Sequence, residues 1–120
     1  MKLIQFFSIL FLTMGSFQMA GAQTAVSDSI IVNGNCGMCK SAIEKSAMAA
    51  GATKAFWDRK AKVLKVEFNT DKTSNETIQK AVAATGYDTE KFTAPDDAYA
   101  KLPECCLYDR KAMPKKEKKN

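Results

Sequence analysis

Histidine is absent from this chain of 120 residues. With it go the commonest general base at neutral pH and the commonest metal ligand. Serine and cysteine triads of the usual kind cannot be built, and no two carboxylates are placed for acid–base work. The chain therefore does not read as an enzyme. Long apolar runs are scarce as well. The longest, Leu3 to Leu12, is too short to span a bilayer comfortably. A surplus of one charge is also missing from the body of the chain. The formal charge of +5 comes from the C-terminus, where six basic residues between Arg110 and Asn120 face the single Glu117. Without that end and the stretch Met1 to Ala22, eleven basic side chains meet twelve acidic ones. A nucleic-acid surface is not expected on such a body.

What is present begins with a leader. Met1 and Lys2 precede the apolar run, Gly15 and Ser16 break it, and Ala20-Gly21-Ala22 offers small residues to a signal peptidase. This is the layout of a secretory signal peptide over residues 1–22, cleaved before Gln23. The expected product is exported and has no stable membrane anchor: periplasmic in a Gram-negative cell, otherwise secreted. About 98 residues then remain, enough for one modest core. Residues 23–93 read as its domain and 94–110 as a cysteine-containing extension. Residues 111–120 read as a basic, solvated, disordered tail that could at most attract anionic lipid or a partner weakly.

Within the domain, Asp28-Ser29-Ile30-Ile31-Val32 is a β-branched run that reads as a strand. From Cys39 a helix follows, with Ala42, Ile43, Ala47 and Ala50 on one face and Gly51 at its end. Thr53 to Trp57 reads as a second strand, and Asp58 to Ala61 as the turn after it. Leu64, Val66 and Phe68 then alternate with Lys65 and Glu67 in a third. Thr73 and Glu76 have capping-box spacing ahead of a second helix carrying Ile78, Ala81, Val82 and Thr85, closed by Gly86. Tyr87 to Phe92 reads as a short last strand. The order predicts an α+β domain: a ferredoxin-like βαββαβ sandwich with two helices on a four-stranded antiparallel sheet. Trp57, Phe56 and Phe68 read as core or sheet-face residues, Met48 as surface or packing, and Tyr99 and Tyr108 as contacts that lay the extension on the domain.

The chemistry centres on Cys36-Gly37-Met38-Cys39. One thiol sits in a loop after a strand and the other at the start of a helix, so both sulfurs can reach one ion. The helix N-terminus favours thiolate, the form that binds metal, and soft sulfur selects soft ions such as Cu(I). A disulfide, structural or exchanging, is the rival reading of a CxxC outside the cytoplasm. Met38 adds a thioether between the two cysteines, either an accessory ligand or a residue that merely packs.

The residues Gly34-Asn35-Cys36-Gly37-Met38-Cys39, the Ile43-Glu44 step and Gly86-Tyr87-Asp88 make residues 29–92 resemble the heavy-metal-associated domain family. That family includes copper chaperones, the N-terminal domains of copper-pumping ATPases and the periplasmic mercury-binding protein. The resemblance implies that Cys36 and Cys39 bind one Cu(I) or Hg(II) at an exposed tip of the fold. It further implies transfer by ligand exchange to an efflux or acceptor protein, with Tyr87 and Gly37 near the site. Ag(I), Zn(II) and Cd(II) are other ions such thiolates accept. The family usually carries a methionine shortly before the first cysteine, where Gly34-Asn35 stand here.

Cys105-Cys106 is a second pair, in a Leu-Pro-x-Cys-Cys-x-Tyr tail that some exported domains of this kind resemble. Neighbouring cysteines pair with each other only under strain. Two readings stay open: a bridge tying the extension to the domain, or one or both thiols joining Cys36 and Cys39 at the metal. A four-cysteine zinc site is less attractive, because adjacent ligands fit a tetrahedron poorly. The functional expectation is an exported soft-metal protein, a Cu(I) chaperone or scavenger working by thiolate exchange. Thiol–disulfide exchange and mercury binding are the alternatives.

Overall fold

The computed structural model describes residues 24–110; the leader assigned to residues 1–22 and the basic tail 111–120 lie outside the described residues. Ala25–Ile31 forms β1, Gly37–Ala49 α1, Lys54–Asp58 β2, Val63–Asn69 β3 and Asn75–Ala84 α2. The extension adds a short helix α3, Asp96–Ala100, and a 3₁₀ turn, Glu104–Cys106. The sheet is antiparallel with order β1-β3-β2. Its register puts Ile30 opposite Leu64, and Leu64 opposite Trp57. Because successive side chains in a strand alternate faces, Ile30, Leu64, Val66, Phe68 and Trp57 share one face. Ile43, Ala47, Ile78 and Val82 of the two helices complete that core. The other face stays open, with Phe56 exposed under the Lys40 ammonium, 3.7 Å from the ring centre. Among the described residues no helix is long and apolar enough to cross a membrane.

Three features depart from the sequence reading. The segment expected as a fourth strand is a single antiparallel bridge, Val32 to Thr89. It is framed by Asn33 N–H to Asp88 O at 2.9 Å and Glu90 N–H to Ile31 O at 3.0 Å. The ladder stops there because Thr89 N–H donates to Phe92 O at 2.8 Å, closing a turn, and Lys91 N–H donates to Gln79 Oε1 at 3.1 Å. Local partners have consumed the groups that a strand would offer to a neighbour. The cap of α2 is also displaced by one residue. Ser74 Oγ accepts from Thr77 N–H at 3.1 Å, while Thr73 Oγ1 donates to Ala50 O at 2.7 Å and ties the two helix ends together. Helix α1 begins at Gly37, so Cys36 rather than a later residue holds the cap position.

Gly51 and Gly86 follow α1 and α2 at φ +109° and +114°. Both lie in the left-handed region, where a Cβ is costly. At Gly86 the space is closed as well: a Cβ would meet Ala98 O and Leu102 Cδ2, each at 3.0 Å. The extension therefore lies directly on the end of α2.

It is laced there by two side chains. The Tyr108 hydroxyl donates to Gly86 O and accepts from Asp88 N–H, both at 2.8 Å. Arg110 forks onto Asp88, Nε to Oδ2 at 3.0 Å and an Nη to Oδ1 at 2.8 Å, and reaches Ala94 O at 2.7 Å. Asp88 Oδ1 also accepts from Ala94 N–H at 2.7 Å. Burial pushes the Asp88 carboxyl up, but Arg110 and the Ala94 amide hold it below the usual carboxylate range. Tyr99 closes the set, its hydroxyl on Tyr108 O at 2.6 Å. Tyr108→Phe leaves a buried N–H and a buried carbonyl without this partner and should cost about 1–3 kcal/mol. The check is the midpoint of denaturant unfolding of the reduced chain, which should fall with no change in slope.

Candidate metal centre

The first thiol is placed by the loop between β1 and α1. Asn33 is held by its side chain, Nδ2 to Asp109 O at 3.0 Å. Lys62, itself at φ +57°, donates its ammonium to Gly34 O, and its backbone O accepts from Val32 N–H at 2.9 Å. Gly34 stands where the family resemblance implies a methionine. A Cβ there would come within 3.0 Å of Trp57 Cζ2 and 3.2 Å of Ile43 Cδ1. The buried indole, anchored by Nε1 to Val32 O at 3.0 Å, already occupies the space beneath the loop. The missing methionine thus leaves no void, because Trp57 packs in its stead.

Cys36 is extended, at φ −131°, and half-buried. Cys39 lies in the first turn of α1 and is fully buried. Their sulfurs are 3.4 Å apart. Both cysteines of the extension meet the first of these. Cys36 Sγ is 3.2 Å from Cys105 Sγ and 3.4 Å from Cys106 Sγ. All four cysteines are free thiols. Cys36, Cys39 and Cys106 have their sulfurs within 4.8 Å of one another, a spacing three ligands of one ion can adopt.

The local structure of the tail explains how adjacent cysteines do different jobs. Pro103 starts a 3₁₀ turn in which Cys106 N–H donates to Pro103 O at 2.8 Å. Successive side chains on such a turn point about 120° apart. Cys106 accordingly faces inward, 1% exposed, whereas Cys105 faces solvent. Cys105 Sγ then meets the Met38 thioether at 3.6 Å. Met38 is 58% exposed and takes no part in the core.

Electrostatics divide the thiols. Burial pushes the Cys36 thiol up, but the Cys39 backbone N–H and the thiols of Cys105, Cys106 and Cys39 outweigh it and bring its pKa down to about 6. The contact with Cys36, followed by burial, raises Cys105. Burial, then the Cys39 thiol, raises Cys106. Tyr87 is buried behind them, its hydroxyl raised by burial and by the neighbouring Cys106. Its ring stacks on Tyr108, centroids 6.1 Å apart. A lowered thiol at Cys36 beside raised thiols at Cys105 and Cys106 is the charge distribution of a metal-free thiol cluster. A cation would displace the remaining protons.

The residues the sequence nominates for the site are therefore at or beside one cluster: Cys36, Cys39, Cys105, Cys106 and Met38 bring their sulfurs to it, Gly37 opens α1, and Tyr87 backs the buried side. Two supporting residues were not anticipated. The sequence does not single out Lys62, and Trp57 reads there only as core or sheet face; here they fix the loop that carries Cys36.

No family model matches the chain, and no curated protein matches it by sequence. Solved structures do. The CopZ metallochaperone is 27% identical, with a TM-score of 0.51, over 53% of this chain and 98% of its own. A protein proposed to bind copper ions, from Bacillus anthracis str. Ames, is 21% identical with a TM-score of 0.53, over 57% of this chain and 99% of its own. The N-terminal domain of a potential copper-translocating P-type ATPase from Bacillus subtilis, solved in its Cu(I)-loaded state, is 24% identical. Its TM-score is 0.52, over 55% of this chain and 85% of its own. At their identities the two Bacillus structures speak to the fold. The structural neighbours of this chain are copper-chaperone and heavy-metal-associated domains, and its cysteine cluster is consistent with a metal site.

Proposed function

We propose that this protein binds Cu(I) outside the cytoplasm on Cys36, Cys39 and Cys106 and releases it by thiolate exchange. The observation that carries the reading is the meeting of three thiols from two distant parts of the chain, with sulfurs within 4.8 Å. With metal–sulfur bonds near 2.3 Å, three ligands around one ion lie about 4 Å apart. The triad can reach that by small side-chain rotations. Three thiolates suit Cu(I), which takes two or three soft ligands, better than Zn²⁺, which closes a tetrahedron of four. The likeness to a copper metallochaperone supports the same choice. Export is supported by the leader sequence.

The third ligand bears on what kind of copper protein this is. Release by exchange needs an incoming thiolate to bind before an old one leaves. Cys106 occupies the buried side of that approach, so an acceptor must displace it or enter past Cys105. This favours capture and buffering over rapid delivery, with an efflux or acceptor protein taking the ion when it offers more thiolates.

A second reading rests on Cys36 itself. Its sulfur lies 3.2 Å from the exposed Cys105 thiol. A thiolate formed near neutrality beside an accessible thiol is what thiol–disulfide exchange requires. The two readings separate in alkylation of the reduced chain. Cys36 should label first, at a rate that rises with pH through about 6 as thiolate forms, and Cys106 last. One equivalent of Cu(I) should protect Cys36; an exchange protein would show sustained turnover of a model disulfide and no such protection.

Replacing Cys36 and Cys39 by serine should abolish competition with a Cu(I) chelator while leaving the circular dichroism unchanged. Tight binding retained in that variant would sink the proposal. Cys106→Ser should still bind, more weakly by tenfold or more. It should also give up Cu(I) to a dithiol acceptor faster than the wild type in stopped-flow transfer.

A further inference from the structure

The triad leaves two sulfurs over. Cys105 and Met38 lie on the solvent side of Cys36, with Cys105 Sγ 3.2 Å from Cys36 Sγ and 3.6 Å from Met38 Sδ. Cys106 and Cys39 lie on its buried side. Cys36 is thus shared between two sulfur groups, one inward and one outward. We infer that the cluster holds two Cu(I) ions: an inner one on Cys36, Cys39 and Cys106, and an outer one on Cys36, Cys105 and the Met38 thioether, with Cys36 as the bridging thiolate. This rests on the copper-binding reading above and extends it to a second ion.

Three physical points lead there. Cu(I) is satisfied by two or three soft ligands, so five sulfurs are more than one ion uses. The 3₁₀ turn leaves Cys105 exposed against the Met38 thioether and Cys106 buried, although both sulfurs lie beside Cys36 and only 3.9 Å from each other. Charge points the same way. One Cu(I) on three thiolates leaves two uncompensated negative charges at a largely buried site, which is costly. A second Cu(I), bringing one further thiolate and one neutral thioether, leaves the total at two while spreading it over two ions. Thiolate is a good bridge because sulfur retains lone pairs after its first metal bond.

The exposure of Met38 is the signature of the outer site. An apolar side chain that is 58% exposed gains little from packing, yet its sulfur is turned toward a thiol from the far end of the domain. Thioether ligation is neutral, labile and specific for soft ions. The outer ion is therefore the more weakly held and the first to be exchanged, while the inner ion is retained.

The test is anaerobic titration of the reduced mature chain with Cu(I) against competing chelators of graded strength, read by native mass spectrometry and by sedimentation. Two Cu(I) per monomeric chain are expected, the second bound at least tenfold more weakly. Met38→Leu, which preserves volume at an exposed position, should weaken only the second ion, and Cys105→Ser should remove it, each leaving the first in place. A wild type saturating at one Cu(I) would overturn the outer site and leave the copper-binding reading standing. A wild type that binds none would overturn both. A second ion that appears only as the chain dimerises would assign it to an interface between two copies and also overturn the inference, as would a stoichiometry of two unchanged in the Met38→Leu/Cys105→Ser double variant.

Discussion

One short stretch of backbone, Gly86 to Asp88, determines whether this domain has two thiols or four at its tip. Its carbonyl and amide are taken by a single hydroxyl, that of Tyr108, and its carboxylate by Arg110. A hydroxyl can donate and accept at once, which lets one side chain satisfy two buried backbone groups. The Asp88–Arg110 pair is bidentate and little exposed, with side-chain exposures of 8% and 23%. That geometry is the kind in which an ion pair contributes beyond the small value of a surface contact. Between these anchors and Gly86, where Leu102 packs, the segment 103–107 has little freedom. Its turn must pass over the β1–α1 loop, and its thiols must meet Cys36.

The same lacing accounts for the shape of the sheet. A fourth strand needs a row of free N–H and C=O groups along its edge. After Thr89 those groups turn inward to Phe92, Gln79 and Asp88. The single bridge between Val32 and Thr89 is enough to bring Tyr87 beneath the thiols, and the domain gives up the rest of the strand to seat its extension. Tyr87 in turn contacts Tyr108 by stacking, so the buried wall of the thiol cluster and the strap that builds it are one packed unit.

Much of this was readable from residue order alone. The alternation of Leu64, Val66 and Phe68, the helical spacing of Ile43 and Ala47, and the glycines after each helix report local physics that tertiary contacts reinforce. The position of Cys36 and Cys39 between the first strand and first helix was legible for the same reason. The remainder depends on contacts distant in sequence. Nothing in Tyr87 to Phe92 announces that its hydrogen bonds will be spent locally. Arg110 ends the extension beside a basic tail, with no partner named by its neighbours in sequence; only the folded extension brings Asp88 to it. Cys105 and Cys106 are interchangeable on paper, and it takes the 3₁₀ turn after Pro103 to point one inward and the other out. Gly34 reads as a departure from the family pattern until Trp57, from strand β2 on the far side of β3, is seen to fill the place.

The strap also sets how tightly and how reversibly an ion could be held. A ligand on the same chain competes at an effective concentration fixed by its tether, and a preorganised one forfeits little entropy on binding. Cys106 would be such a ligand: its backbone is already seated by Tyr108 and Leu102, so closing on a metal would order almost nothing new. An acceptor offering two thiolates from solution meets this cost in full and is at a disadvantage. An acceptor that docks first gains the same intramolecular advantage and can compete on equal terms. On the copper-binding reading proposed above, the extension would convert a two-thiolate tip open to any thiol into one that favours partners able to dock beside Cys105.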